Sequence, residues 1–251
     1  MLKEERFQKI MQQVDQLDTV RVTDLAKKLD VTEMTIRRDL DDLEAKQLLV
    51  RIHGGARKKR VRNYTELSHG QKRTINVEEK RYIASKCAEL IKNDETVFIG
   101  PGTTNELIYD YLNHIQHADI VTNAITIFER FKEDSRFDVI LIGGRYRQRS
   151  GTFIGYFANQ LLNQINVNKA FIGTNGIIDL YVTTANEDEG SGQKLILDNA
   201  GERYVVADHS KFGMEAFHRF YKISDLTGIV TDPGIDEETA EFYKNYTQLI
   251  Y

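Results

Sequence analysis

The stretch "VTEMTIRRDLDDLEAK", Val31–Lys46, sets two adjacent arginines, Arg37 and Arg38, between Ile36 and Asp39. Successive helical residues project about 100° apart, so with Ile36 at zero, Leu40 falls at about 40° and Leu43 at about −20°. Those three make one apolar seam. Arg37 then lies at about 100°, Asp41 at about 140°, Met34 at about 160° and Arg38 at about 200°, all off the seam. Two outward arginines suit i,i+4 ion pairs with Asp41 and Asp42, each contributing about 0.3–0.5 kcal/mol. They equally suit a polyanion that accepts bidentate contacts.

The flanking elements favour the polyanion. Upstream, "KEERFQKIMQQVDQ" repeats Phe7, Ile10, Met11 and Val14 at helical spacing, and "TVRV" reads as a short strand. Thr23 is placed to cap "DLAKKLD", in which Leu25, Ala26 and Leu29 keep the same period. Asp30 and Val31 then make a tight connection to Thr32, a favourable N-cap for the third helix. A short helix, a tight turn and a longer helix form the helix-turn-helix plan, whose second helix enters the major groove first turn foremost. Beyond it, "LLVRIHGGARKK" is a strand reaching a Gly-Gly turn, the wing of a winged helix, with "TVRV" as its pairing partner.

Charge is divided unevenly along the chain. Residues 1–62 hold 15 Lys/Arg against 11 Asp/Glu, whereas the rest hold 19 against 27. Arg51–Arg62 contains six basic residues and no acid, as expected of a polyanion contact or a basic linker. Lys58, Lys59, Arg60 and Arg62 in that block are expected to meet phosphates if they meet DNA at all.

The 251 residues, 41% hydrophobic and 29% charged, accommodate one small and one medium globular domain. No apolar run approaches the roughly 20 residues that cross a bilayer. The charged N-terminus lacks a signal-peptide core, so a cytoplasmic protein without membrane partners is expected. Cys87 stands alone, which excludes an internal disulfide and a cysteine metal cluster. His53, His69, His114, His117, His209 and His218 show no metal-ligand spacing with nearby carboxylates; neither metal nor cofactor is expected.

After residue 75 the chain alternates. Ile83, Cys87, Leu90 and Ile91 mark one face of a helix. "TVFIG", "DIVTN", "DVILIGG", "KAFIGTNG", "YVVAD" and "TGIVTD" are short apolar runs, most ending in Gly, Asn or Asp. Such alternation predicts an α/β domain with a largely parallel sheet, whose ligands bind beyond the carboxyl ends of the strands. "GPGTTNEL" joins a strand to a helix starting near Thr104 and offers backbone N–H groups to an anion, without the Lys-Ser/Thr ending of a Walker loop. Lys211, in "ADHSKFG", is the favoured cation for a phosphate; Arg145, Arg147 and Arg149 are alternatives that equally fit a solvated strand or loop.

"TDLAKKLDVTEMTIRRDLDDLEAKQLLVRIHGGA" resembles the signature of the DeoR family of bacterial transcriptional repressors over more than thirty consecutive positions. It departs at Gln47, where the family carries a helix-ending glycine; a left-handed cap there costs Gln about 1 kcal/mol. The resemblance implies operator DNA as a partner, contacted by Thr32, Met34, Thr35, Arg37 and Arg38 on the recognition helix and by Arg51 and His53 on the wing. The remaining chain resembles the family's sugar-phosphate sensor domain, a Rossmann-like fold of the ribose-5-phosphate-isomerase type. By that resemblance Gly102, Thr103 and Thr104 form a phosphate loop, and Asn123, Gly143, Gly144, Asn175, Gly176, Asp208 and Lys211 line an effector cleft. "GPGTT" in place of the more usual D-x-G-T-T, with "RIHGGAR" and the "ELSH" of Glu66–His69, is similar to the branch regulating lactose and galactose use, which implies tagatose 6-phosphate as inducer.

The implied fold class is α/β: a winged helix-turn-helix domain over residues 1–58, a linker over 59–75 and a sensor domain over 76–251. The resemblance implies a homodimer or homotetramer, in keeping with a short recognition helix that needs two half-sites to reach useful affinity. The competing class is an isomerase-like enzyme with an appended DNA-binding head. Aldose–ketose isomerisation needs a carboxylate base and enediolate stabilisers, and "GTNGIIDLY" lacks the paired acids of the isomerase loop. Asp179, Glu187 and Glu189 stay open as bases; no catalytic residue is assigned.

Overall fold

A computed structural model describes residues 2–17, 19–46, 48–52, 54–58 and 66–251. Gln47, His53, Lys59, Arg60 and Arg62, on which expectations were placed, lie outside the described residues. The chain divides into two compact units at residues 63/64.

The first unit runs α1 (Lys3–Leu17), β1 (Thr19–Arg21), α2 (Val22–Leu29), α3 (Glu33–Ala45), β2 (Leu49–Ile52) and β3 (Gly55–Lys58). Phe7, Ile10 and Val14 of α1 meet Leu25 and Leu29 of α2 and the Ile36–Leu40–Leu43 seam of α3 in one core. Asp30 closes α2 in the left-handed region, φ +53, which aspartate tolerates better than most residues. β3 lies between β1 and β2 in an antiparallel sheet, so "TVRV" does pair with the wing. A Cβ at Gly55 would lie 2.0 Å from the Val20 carbonyl oxygen, and Gly54 has φ +76. Both glycines are therefore sterically required.

The Thr23 cap is corrected. α2 begins at Val22 with no side-chain cap, and the Val22 amide donates instead to the Gly54 carbonyl at 2.9 Å. The wing turn thus satisfies a helix-end donor that sequence logic assigned to a hydroxyl.

The second unit begins with α4 (His69–Arg73) and α5 (Val77–Leu90). It continues β4 (Thr96–Ile99), β5 (Ala118–Thr122), α6 (Ile125–Phe131), β6 (Phe137–Leu141), β7 (Arg145–Arg147), β8 (Thr152–Ile154), α7 (Tyr156–Leu162), β9 (Val167–Gly173), β10 (Gly176–Ile178) and β11 (Tyr181–Thr184). Then come α8 (Glu187–Asp198), β12 (Ala200–Val206), β13 (His218–Lys222), β14 (Gly228–Val230), α9 (Glu237–Lys244) and β15 (Gln248–Ile250). The main sheet has seven strands in the order β15-β14-β12-β9-β4-β5-β6, every neighbour parallel. All six apolar runs read from the sequence are strands of this sheet. Successive strands step outward one way from β4 and the other way from β9, so the order reverses between these two. That is the topological switch point, where such sheets open a crevice.

One face of the sheet packs on Ile83, Cys87, Ile91 and Phe131, the other on Leu162, Ile196, Leu197 and Tyr221. The segment after β4 is not the α-helix expected from "TTNEL" but a 3-10 helix, Asn105–Tyr111. The sequence pattern also left out β15, the β10-β11-β13 sheet and the β7–β8 hairpin.

Candidate nucleic-acid interface and ligand cleft

Thr32 caps α3: its hydroxyl accepts the Thr35 amide at 3.2 Å and lies 2.9 Å from the Thr35 hydroxyl. Met34 is 63% exposed beside them. Arg37 reaches back to Glu33 at 3.4 Å rather than forward to Asp41, and Arg38 is exposed with no partner among the described residues. The acids the arginines could have paired with are engaged elsewhere, Asp41 by Arg51 at 3.1 Å and Asp42 by Lys3 at 2.6 Å. The outward face of α3 therefore presents Met34, Arg37 and Arg38 with the Thr32–Thr35 hydroxyl pair at its start.

Arg51 departs from its expected place on the wing surface. It bonds the Gly55 carbonyl at 2.9 Å as well as Asp41, and its own amide donates to Glu44 at 2.7 Å. It ties the wing to α3. Lys58 pairs with Asp15 at 2.8 Å. Asp39 was not singled out by the pattern, yet it is 2% exposed and holds a two-pronged ion pair with Arg6.

At the switch point of the second unit lies a cavity of about 100 Å³. Gly102, Thr103, Thr104, Asn175, Asp208 and Lys211 line it, all of them expected there. Asn123, Gly143, Gly144 and Gly176 do not. The Asn123 amide donates to the Phe153 carbonyl at 3.0 Å and anchors the β7–β8 hairpin. A Cβ at Gly144 would come 2.9 Å from the Ile154 oxygen, and one at Gly176 would lie 2.3 Å from the Met214 oxygen. These two are packing glycines.

The cavity's cations exceed the one expected. Lys72, from α4, and Lys80, from α5, line it with Lys211. Burial pushes the Lys72 ammonium below its ordinary pKa, with Lys211 and Arg147 adding to the shift against Glu66 and Glu189. Burial likewise lowers Lys80, which is 6% exposed, and Lys211 and Lys72 depress it further against Asp208. Three mutually repelling ammonium groups around one cavity favour an anion. Asp208 feels burial pushing its pKa up, but the Lys211 charge and hydrogen bonds from Ser210 and Asn76 hold it below the usual value. It aligns Lys211, 3.9 Å away.

Leu67, His69, Lys72 and Ile75 of the cavity wall come from the segment assigned to the linker. That segment is a strap pinned at both ends. Ser68 and Gln71 form a capping box that starts α4. Glu66 is gripped by both terminal nitrogens of Arg147, which also meets Glu189 at 3.1 Å. His69 and Arg73 both bond the buried Glu106, Arg73 at 3.0 Å. Arg145 pairs with Asp188, and Arg149 bonds the Glu66 carbonyl. Arg147 and Arg149 therefore brace the strap, Arg145 binds α8, and none of the three lines the cavity.

Of the acids kept open as bases, Glu189 alone lines the cavity, and Arg147 holds it. Asp179 sits at a turn with φ +50 and meets Arg219 at 3.4 Å, and Glu187 is exposed. His117, Asp119 and Asp138 bring ligand atoms within 4.8 Å of one another, at the amino ends of β5 and β6 and far from the cleft.

Residues 6–60 match the model of the DeoR-like helix-turn-helix domain, and residues 75–233 that of the DeoR C terminal sensor domain. Over all of both chains, the sequence is 39% identical to the lactose phosphotransferase system repressors of Streptococcus mutans serotype c and of Staphylococcus aureus strain N315. Among solved structures, ribose 5-phosphate isomerase A from Methanocaldococcus jannaschii matches with a TM-score of 0.39 and 16% identity, covering 55% of each chain.

Proposed function

The chain belongs to the DeoR family of transcriptional regulators, and on that premise we propose that it represses a lactose- and galactose-utilisation operon and leaves its operator when tagatose 6-phosphate binds. The protein is a regulator rather than an enzyme, in keeping with relatives named as repressors over their full length. The observation that carries the effector reading is the convergence of Lys72, Lys80 and Lys211 on one cavity at the switch point. A phosphate there relieves their mutual repulsion, and Thr103 and Thr104 add hydroxyl donors. Thr32, Met34, Thr35, Arg37 and Arg38 meet the operator, with the protein acting as a homodimer or homotetramer so that two recognition helices reach two half-sites. Arg51 supports the wing from behind.

The strap supplies the coupling. Residues 66–75 open the sensor unit, on the chain leading from the DNA-binding unit, and they also form part of the cavity wall. An anion held by Lys72 changes the free energy of the segment leading to the DNA reader. Thermal denaturation of the full chain against a panel of sugar phosphates tests the effector. Tagatose 6-phosphate at 100 times its dissociation constant stabilises a two-state unit by about 2.7 kcal/mol, and free tagatose leaves the midpoint unmoved. Equal stabilisation by the free sugar contradicts the anion site.

A further inference from the structure

Two acceptors at the cleft are left without donors. Asn105, fully buried, directs both amide hydrogens to carbonyls, Gly100 at 3.0 Å and Phe171 at 3.2 Å. Its Oδ1 has no partner among the described residues. Gln193, 8% exposed, turns its Nε2 toward the Gly173 carbonyl at 3.4 Å, and its Oε1 is likewise unpartnered. Neither amide can be reversed profitably, because reversal sets oxygen against carbonyl oxygen. Both residues line the same cavity and bond carbonyls two residues apart at the carboxyl end of β9. Asn105 lies under the Gly102 loop, where a Cβ would stand 3.9 Å from its amide. Buried acceptors left unmade are costly and rare, so a pair in one cavity calls for donors brought by the ligand.

We infer that the Asn105 and Gln193 carbonyl oxygens accept hydrogen bonds from hydroxyls of the bound molecule and so select a polyhydroxylated phosphate over a bare or alkyl phosphate. The inference rests on the sugar-phosphate reading of the cleft and assigns the other half of its recognition. The lysines hold the phosphate; the two amides, donor-locked by the backbone, read the polyol. A site built this way rejects a ligand lacking the hydroxyls because its own acceptors then stay unpaired.

Calorimetric titration of the full-length chain with tagatose 6-phosphate, monohexyl phosphate and inorganic phosphate tests this. The wild type is expected to bind tagatose 6-phosphate at least about tenfold more tightly than monohexyl phosphate. Gln193→Met keeps side-chain length but removes the acceptor. It should weaken tagatose 6-phosphate about tenfold and change monohexyl and inorganic phosphate less than about twofold. A loss shared equally by all three ligands, or no loss for the sugar phosphate, overturns the inference while leaving the anion site standing. If Gln193→Met does not fold by circular dichroism, the wild-type series decides: equal affinity for hexyl and sugar phosphate overturns it. Failure of the wild type to bind any of the three overturns the sugar-phosphate reading itself, and this inference with it.

Discussion

At the scale of single residues, outward placement of Arg37 and Arg38 was legible because a helical wheel needs only local spacing. Asp39 was not, because its partner Arg6 lies 33 positions away and only packing of α1 on α3 brings them together. Lys80 did leave a signal: it stands three and seven residues before Ile83 and Cys87, on the apolar side of α5, where a lysine needs a reason. Lys72 left none. Arg38→Ala should weaken operator binding by about 1–3 kcal/mol, the range for a bidentate base contact. Circular dichroism should stay unchanged, since the side chain is off the Ile36 seam; unaltered operator affinity removes Arg38 from the reader. For Lys72, the folded pKa is depressed below 10.5, so the unfolded chain binds more protons between that lowered value and 10.5. The burial penalty is therefore full at pH 7 and relieved as pH rises through that window. Lys72→Met should raise the ligand-free melting midpoint at pH 7, with the gap to wild type narrowing toward pH 10.5. It should also lower effector affinity by about 1.5–3 kcal/mol. A variant that melts lower and still binds normally contradicts both roles.

At the scale of elements, the six strand runs were readable because buried parallel strands are short continuous apolar stretches. The strap was not, because five residues of α4 carry no periodic pattern and its place is set by ion pairs to Arg147 and Glu106, remote in sequence. The winged helix was legible down to its Gly-Gly turn, whereas the α2 cap failed since a backbone carbonyl did the work of a side chain. Glu106 shows what fastens the strap. Burial would raise its pKa, but hydrogen bonds from His69, Thr126 and Arg73 hold it below its ordinary 4.5. Because the folded value is depressed, this contribution is present above pH 4.5 and is lost as pH falls through the folded value. Glu106→Gln should accelerate amide exchange across residues 68–75 at neutral pH by at least about tenfold, the equivalent of roughly 1.4 kcal/mol. Amides of α3 should be unaffected. In the wild type the same loss of protection, taken relative to the slower intrinsic exchange at low pH, should appear only on acidification. Uniform exchange behaviour across the unit would show that the strap is no separate element.

At the scale of the whole molecule, an arginine-bearing helix and a lysine-lined cleft share one chain, and residues 66–75 at the start of the second unit form part of the cleft wall. That a cleft would lie beyond the carboxyl ends of the strands was legible, and six residues named from the sequence line it. The β4/β9 reversal was not, because strand order is set by pairings remote in sequence. Asn123, Gly144 and Gly176 do not line it because an asparagine or glycine at a strand end serves local packing as readily as a ligand. Gly143, with open space around it, does not line it either. The proposed switch is a coupling free energy between operator and effector, which linkage requires to be reciprocal. The most direct test is fluorescence anisotropy of a labelled operator, selected by the full-length protein from random duplex DNA, titrated with and without saturating tagatose 6-phosphate. Titration of the sugar phosphate with and without operator completes it. The account predicts that each ligand weakens the other by one common factor, about 5–150-fold. Sugar phosphate bound at the cleft with operator affinity unchanged would contradict it.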